Sequence, residues 1–317
     1  MPQGISNHDI LLSRSHIMNI LVTTKDKMQF EVPSGISVEY YEDLGFNSLN
    51  EIQDKYQMII GGFELAKLDF KVLKQLKLVQ LISAGYDYVN FDDCPWVKLA
   101  NAKGVYSKAI AEWVLSALLM EIKGLRQVVK NQSNHKWERH IKSEDLRDKK
   151  ILVFGTGSIG QEIAKIFQLF GINVDGVNSD GRSISPFNRT YAMKESLGML
   201  RNYDVFVFCL PSTQLTSGFI NQETVQLFKS DDIIINVGRG DLITKEAIHF
   251  RKDIRLLLDV IYQEPLSKEN AEWEDDHVFI SPHISFQSNE NFRILKELIQ
   301  INISNLYYDK EVVNRVK

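Results

Sequence analysis

The sequence predicts an α/β protein with two parallel sheets, one domain being inserted into the other. Three observations lead there. Short, mostly apolar and often β-branched runs recur along the chain, which is how parallel strands covered on both faces read. Helical patterns fill several of the gaps between them, the alternation expected of strands joined by crossover helices. The most complete strand–glycine turn–helix unit lies in the middle of the 317 residues, with α/β material before it and a helical segment after it.

The elements follow in order. Residues 1–17, "MPQGISNHDILLSRSHI", are polar and mixed and lack the apolar core of a signal peptide. They are expected to be a poorly ordered extension. Strand-like runs follow at Ile20–Thr23, Met58–Ile60 and Val79–Ser83, with a helical pattern in "ELAKLDFKVLKQL" (64–76). Residues 108–132 carry apolar side chains at 110, 114, 117, 118, 122, 125, 128 and 129 and predict one long helix with a wide buried stripe. Further strands are predicted at Ile151–Phe154, Val174–Val177, Val205–Leu210, Ile233–Val237, Leu256–Val260 and Val278–Ile280. Helical segments are read in "NQETVQLF", "TKEAIHF" and the closing "SNENFRILKELIQINISNLYY".

Composition excludes several classes. A net charge of −4 gives no nucleic-acid footprint. No apolar run approaches the roughly 20 residues a membrane span needs. The two cysteines, Cys94 and Cys209, are too few for a disulfide framework, so a reduced, cytoplasmic setting is expected. Cys209, inside "VFVFCLP", reads as a buried thiol. No metal is expected.

"ILVFGTGSIGQEIAKIF" (151–167) runs from an apolar strand through Gly155-x-Gly157-x-x-Gly160 into a helix. Glycines at those positions let backbone N–H groups approach a pyrophosphate and let the helix pack on the strand, and the helix dipole favours the anion. A Rossmann-like dinucleotide-binding domain is therefore expected at 108–283. Residues 18–107 and 284–317 would form a smaller substrate domain, with the ligand in the cleft at the carboxyl ends of the strands.

Three later elements, "INVGRGDL", "LDVIYQEP" and "ISPHIS", each place a polar residue just beyond an apolar strand. These are Arg239, Glu264 and His283. Each alone has a structural explanation: a surface arginine, a loop-capping glutamate, a packed histidine. On successive strand ends of one sheet they would converge on one cleft.

The sequence resembles the D-isomer-specific 2-hydroxyacid dehydrogenase family over most of residues 18–310. The similarity runs through "SAGYDYVNFD", "AIAEWVLSALL", the glycine loop, "CLPSTQLTSGFINQETVQLFKSDDIIINVGRGDLI", "LDVIYQEPL" and "SPHIS". The resemblance implies a flavodoxin-like substrate domain and catalytic roles for Arg239, Glu264 and His283. It implies that backbone at Ala84 and Gly85 receives the substrate carboxylate together with Arg239, and that Asp259 meets the nicotinamide carboxamide. Gly155, Gly157, Ser158, Ile159, Gly160, Leu210, Pro211, Thr216, Val237 and Gly238 would complete the cofactor contacts. It further implies a homodimer paired through the cofactor domains, with helix 108–130 and Trp113 at the contact. The related formate dehydrogenases carry glutamine beside the histidine, so Glu264 favours a hydroxyacid reaction; the regulatory extension of some phosphoglycerate dehydrogenases is not expected.

An acid that holds the adenosine ribose is expected about 20 residues beyond the glycine loop. Aligned on the family pattern, "FGINVDGVNS" puts Asn178 at that place and Ser179 after it, with Arg182 close by. Without the carboxylate a 2′-phosphate meets no repulsion, and Arg182 would pair with it. The residues favour NADP over NAD; an inward swing of Asp180 is the route by which NAD would be held. The expected function is hydride transfer between NAD(P) and a small 2-oxo or 2-hydroxy acid of the glyoxylate, hydroxypyruvate or pyruvate kind. The rival reading is a non-catalytic, dinucleotide-binding regulator on the same scaffold.

Overall fold

The computed structural model describes residues 17–317 except 46–47 and 92–93; the expected extension at 1–17 lies outside the described residues up to position 16. The chain forms two compact units, Met1–Val105 with Asn289–Lys317, and Tyr106–Ser288.

The first unit contains strands β1 (Met18–Val22), β2 (Ile36–Tyr40), β3 (Met58–Gly61), β4 (Leu78–Leu81) and β5 (Lys98–Ala100). They form one parallel sheet in the order β2-β1-β3-β4-β5, the flavodoxin-like order. Leu21, Ile59, Val79, Leu81 and Leu99 face a core completed by Leu65, Leu68, Phe70, Leu73 and Leu76. The stretch 64–76 is not the helix its pattern predicts. It is two 3₁₀ turns, Phe63–Lys67 and Phe70–Val72. Its buried apolar residues are spaced mostly by three, so tight turns satisfy them as well as a helix would.

The second unit contains helices α1 (Ser107–Ile122) and α2 (Leu125–Ser133), then β6 (Ile151–Phe154), α3 (Ser158–Leu169), β7 (Val174–Asn178) and β8 (Thr190–Ala192). They are followed by β9 (Val205–Phe208), β10 (Ile233–Asn236), α4 (Lys245–Phe250), β11 (Arg255–Leu258) and β12 (Val278–Ile280). The single long helix expected over 108–132 is broken at Gly124, whose φ of 64° starts α2 in a new direction. All seven strands are parallel, in the order β12-β11-β10-β9-β6-β7-β8. Alternate residues separate cleanly: Ile151, Val153, Val205 and Val207 enter one core with α1 and α3, while Leu152, Phe154, Phe206 and Phe208 enter the other. Both faces are buried, which is why these strands read as unbroken apolar runs. The last helix, α5 (Asn291–Tyr307), belongs to the first unit, where its buried Asn302 donates to Gln80 Oε1 at 2.6 Å.

Candidate active site

The chain reverses its winding at β6, which pairs with β7 on one side and β9 on the other. Ligands of open α/β sheets bind outside the carboxyl ends of strands at such a point. The glycine loop leaves β6 there. A Cβ on Gly160 would lie 1.9 Å from the Gly155 carbonyl oxygen, so only glycine lets α3 sit this close to the strand. A Cβ on Gly157 would meet nothing within 4 Å. No side chain caps the N-terminus of α3, which begins with Ser158 and Ile159. Open space before an uncapped helix start fits a pyrophosphate. Cys209 lies beneath: Sγ donates to the carbonyl oxygens of Phe154 and Gly155, each at 3.2 Å, and burial pushes the thiol up to about 12.

Leu210 and Pro211 continue from β9. Buried Thr216 closes their loop, its Oγ1 donating to the Pro211 carbonyl at 2.6 Å and accepting from Thr213 N–H at 2.9 Å. Val237 and Gly238 continue from β10.

At the end of β7 the expected ribose contacts separate. Asn178 is 8% exposed. Its Nδ2 donates to the Arg182 carbonyl at 2.9 Å and Thr156 Oγ1 at 3.3 Å, and its Oδ1 accepts from Gly181 N–H at 2.6 Å. The amide is spent on building the loop and tying it to the glycine turn. Ser179, Asp180 and Arg182 are the outward groups. Arg182 Nη1 donates to Asp180 Oδ1 at 2.7 Å and to Ser179 Oγ at 3.3 Å, and the Arg182 N–H and guanidinium hold the Asp180 carboxyl below its usual range.

Arg239, Glu264 and His283 follow β10, β11 and β12, three adjacent strands. Arg239 is half-buried, and its Nη1 donates to the Gly238 carbonyl at 2.9 Å. Glu264 Oε2 and His283 Nδ1 are 2.8 Å apart, and Glu264 Oε1 accepts from Ile261 N–H at 3.2 Å. The hydrogen bond that His283 Nδ1 donates to Glu264 raises the imidazole above its ordinary value; burial and the Arg239 charge oppose it, and the Glu264 and Asp259 charges assist. Burial works to raise the Glu264 carboxyl. The hydrogen bond and charge of His283, the Ile261 N–H and the Arg239 charge outweigh it and hold it below the usual range. The Arg239 field thus acts on both members of the pair.

His283 sits in the left-handed region at φ 55°, a conformation that costs a non-glycine residue roughly 1–2 kcal/mol. Asp259 holds it there. Its carboxylate, 1% exposed, accepts from Ser281 Oγ at 2.5 Å, Ile284 N–H at 2.9 Å and Ser285 N–H at 3.0 Å, and its backbone carbonyl accepts from His283 N–H at 2.9 Å. A carboxylate has about four acceptor sites, and these bonds occupy three of them. Sequence reasoning passed over Ser281, Ser285 and Asn236, all buried. The signal available was a polar residue at or just past an apolar strand end, which was read only for Arg239, Glu264 and His283.

Ala84 and Gly85 lie in the first unit, past β4. The Ala84 carbonyl accepts from Asn101 Nδ2 at 2.6 Å and the Gly85 carbonyl from Ser83 Oγ at 2.7 Å, which fixes that turn. Among the described residues no helix is long and apolar enough to cross a membrane, and no group of three or more His, Cys, Asp or Glu is placed to hold a metal ion.

Residues 115–285 match the family model for the D-isomer specific 2-hydroxyacid dehydrogenase, NAD binding domain. A Corynebacterium melassecola protein described only by its place in the proB 3′ region is 31% identical over 234 residues, covering 70% of this chain and 75% of that protein. A glyoxylate/hydroxypyruvate reductase from Arabidopsis thaliana is 25% identical over 254 residues, 77% of each. Among solved structures, a D-isomer specific 2-hydroxyacid dehydrogenase family protein from Aeromonas salmonicida superposes with a TM-score of 0.82 at 23% identity, covering 95% of this chain and 99% of that one. An NADPH-dependent glyoxylate/hydroxypyruvate reductase from Sinorhizobium meliloti, solved with NADP and sulfate, gives 0.77 at 22% identity, covering 95% and 98%. The match over the cofactor unit and the two-sheet fold agree, and the chain belongs to the D-isomer-specific 2-hydroxyacid dehydrogenase family.

Proposed function

We propose that the protein reduces a small 2-oxo acid to the D-2-hydroxy acid, with NADPH preferred over NADH. The observation that supports this most is the His283–Glu264 pair at 2.8 Å on strand ends next to the one that carries Arg239. The glycine loop, the β7 loop and the residues after β9 and β10 would hold the dinucleotide, which when bound supplies the hydride. Arg239 orients the substrate through its carboxylate and carbonyl oxygens, a planar fork that lysine cannot copy. In the first unit the backbone at Ala84 and Gly85 is assigned to the carboxylate. His283, engaged by Glu264 at Nδ1, donates a proton from Nε2 to the carbonyl oxygen as the hydride reaches the carbon. Glu264 fixes the tautomer and favours the protonated ring. One hydride and one proton convert the ketone to the secondary alcohol.

Preference for NADPH rests on Arg182 at the loop surface and on the absence of an acid at position 178. The related reductases from Arabidopsis and Sinorhizobium support glyoxylate or hydroxypyruvate as the substrate class. We also read the protein as a cytoplasmic homodimer that pairs within 108–130. In that stretch Leu125 and Val129 are exposed, while Trp113 is half-buried against Phe279. The deciding assay is NADPH oxidation with glyoxylate, hydroxypyruvate, pyruvate and bulkier 2-oxo acids. Turnover with at least one is expected. Tight NADPH binding without turnover on any of them overturns the reading in favour of a regulator on this scaffold.

A further inference from the structure

Asn236 ends β10, fully buried after a run of three isoleucines. A buried amide is costly unless both its ends find partners. Asn236 finds them within the next three residues: Oδ1 accepts from Gly238 N–H at 3.1 Å and Nδ2 donates to the Arg239 carbonyl at 2.8 Å. One side chain therefore closes the turn from which Arg239 departs. The turn is confined on both sides. A Cβ on Gly238 would lie 2.6 Å from the Leu210 carbonyl oxygen, and one on Gly240 would lie 1.9 Å from that of Ile261. Ile261 is the residue whose N–H holds Glu264 Oε1. The Asn236 backbone carbonyl also accepts from Asp259 N–H at 3.0 Å, and Asp259 builds the His283 turn. Asn236 thus stands where the Arg239 turn, the Glu264 loop and the His283 turn are referenced to one another.

We propose that Asn236 is a positioning residue for substrate reduction, acting through Arg239: its amide sets where the guanidinium leaves the sheet. This rests on the proposed catalytic reading of Arg239. The perturbation is Asn236→Asp, which keeps the volume and the acceptor for Gly238 N–H but sets a carboxylate oxygen against the Arg239 carbonyl. Misplacement of a substrate-orienting group by about 1 Å costs on the order of 10²-fold.

The test is a double-mutant cycle with Arg239→Ala, measured at saturating NADPH with the best 2-oxo acid, with thermal melts to verify folding. Asn236→Asp alone is expected to lower kcat/KM at least about tenfold, chiefly through a higher KM for the oxo acid. In the Arg239→Ala background the same substitution changes kcat/KM by less than about twofold, because partners in one network are not additive. Additive losses or a wild-type KM each overturn the proposal. If Asn236→Asp does not fold, Asn236→Ser, which shortens the side chain without adding charge, takes its place in the same cycle with the same outcomes. Should Arg239→Ala by itself leave kcat/KM unchanged, the catalytic reading of Arg239 fails, a result distinct from failure of the positioning role.

Discussion

Replacing Arg182 by alanine tests the proposed cofactor choice. The Asn178 amide is spent within the loop, and the exposed groups beside it are Ser179, Asp180 and Arg182. Arg182 and Asp180 are paired at 2.7 Å, with 57% and 58% of their side chains exposed. Exposed pairs of this kind add little stability, so a 2′-phosphate can draw the guanidinium away from Asp180 at small cost. Hydrogen bonds to a charged group contribute roughly 1.5–3 kcal/mol. At about 1.4 kcal/mol per factor of ten, Arg182→Ala should lower kcat/KM for NADPH roughly ten- to hundredfold and leave NADH nearly unchanged. Asp180→Ala acts in the opposite direction. It removes the carboxylate that competes for Arg182 and would repel the phosphate, so NADPH preference rises and NADH weakens. The assay is initial-rate kinetics with both cofactors on one oxo acid. If neither substitution moves the NADPH/NADH ratio, the loop 178–182 does not read the ribose and the argument for NADPH falls.

His283→Ala removes the proton donor and should lower kcat about 10²–10⁴-fold; NADPH affinity, measured by fluorescence, should hold, and a wild-type kcat would end the assignment. Glu264→Gln removes the hydrogen-bonded anion that raises the His283 imidazole. Reduction needs the protonated ring, so the rate should fall away at lower pH than in the parent, and an unmoved alkaline limb would show that the pair does not operate during turnover. For the homodimer, sedimentation equilibrium at micromolar protein should return twice the chain mass, and a single-chain mass refutes it.

Much of the fold was legible because it is local. The long strands announce themselves in β-branched runs such as Ile233–Asn236, and the glycine loop and α3 are encoded within one short stretch. What escaped was weakly patterned. The strands β2, β5 and β8 are short or half-exposed and lie at or next to sheet edges, so one or both faces lack the apolar signal. The break at Gly124 was written as a glycine, but a periodic stripe continues across it. At the site, the sequence by itself determined which residue types stand past which strands: Arg239, Glu264 and His283. Only the tertiary structure decided that Glu264 meets His283, that the Asp259 carboxylate carries the left-handed turn of His283, and that the Asn178 and Asn236 amides turn inward to hold their loops. The reason is that a buried polar group takes whatever partner the strand order places within about 3 Å, and β10, β11 and β12 become neighbours only when the sheet is assembled.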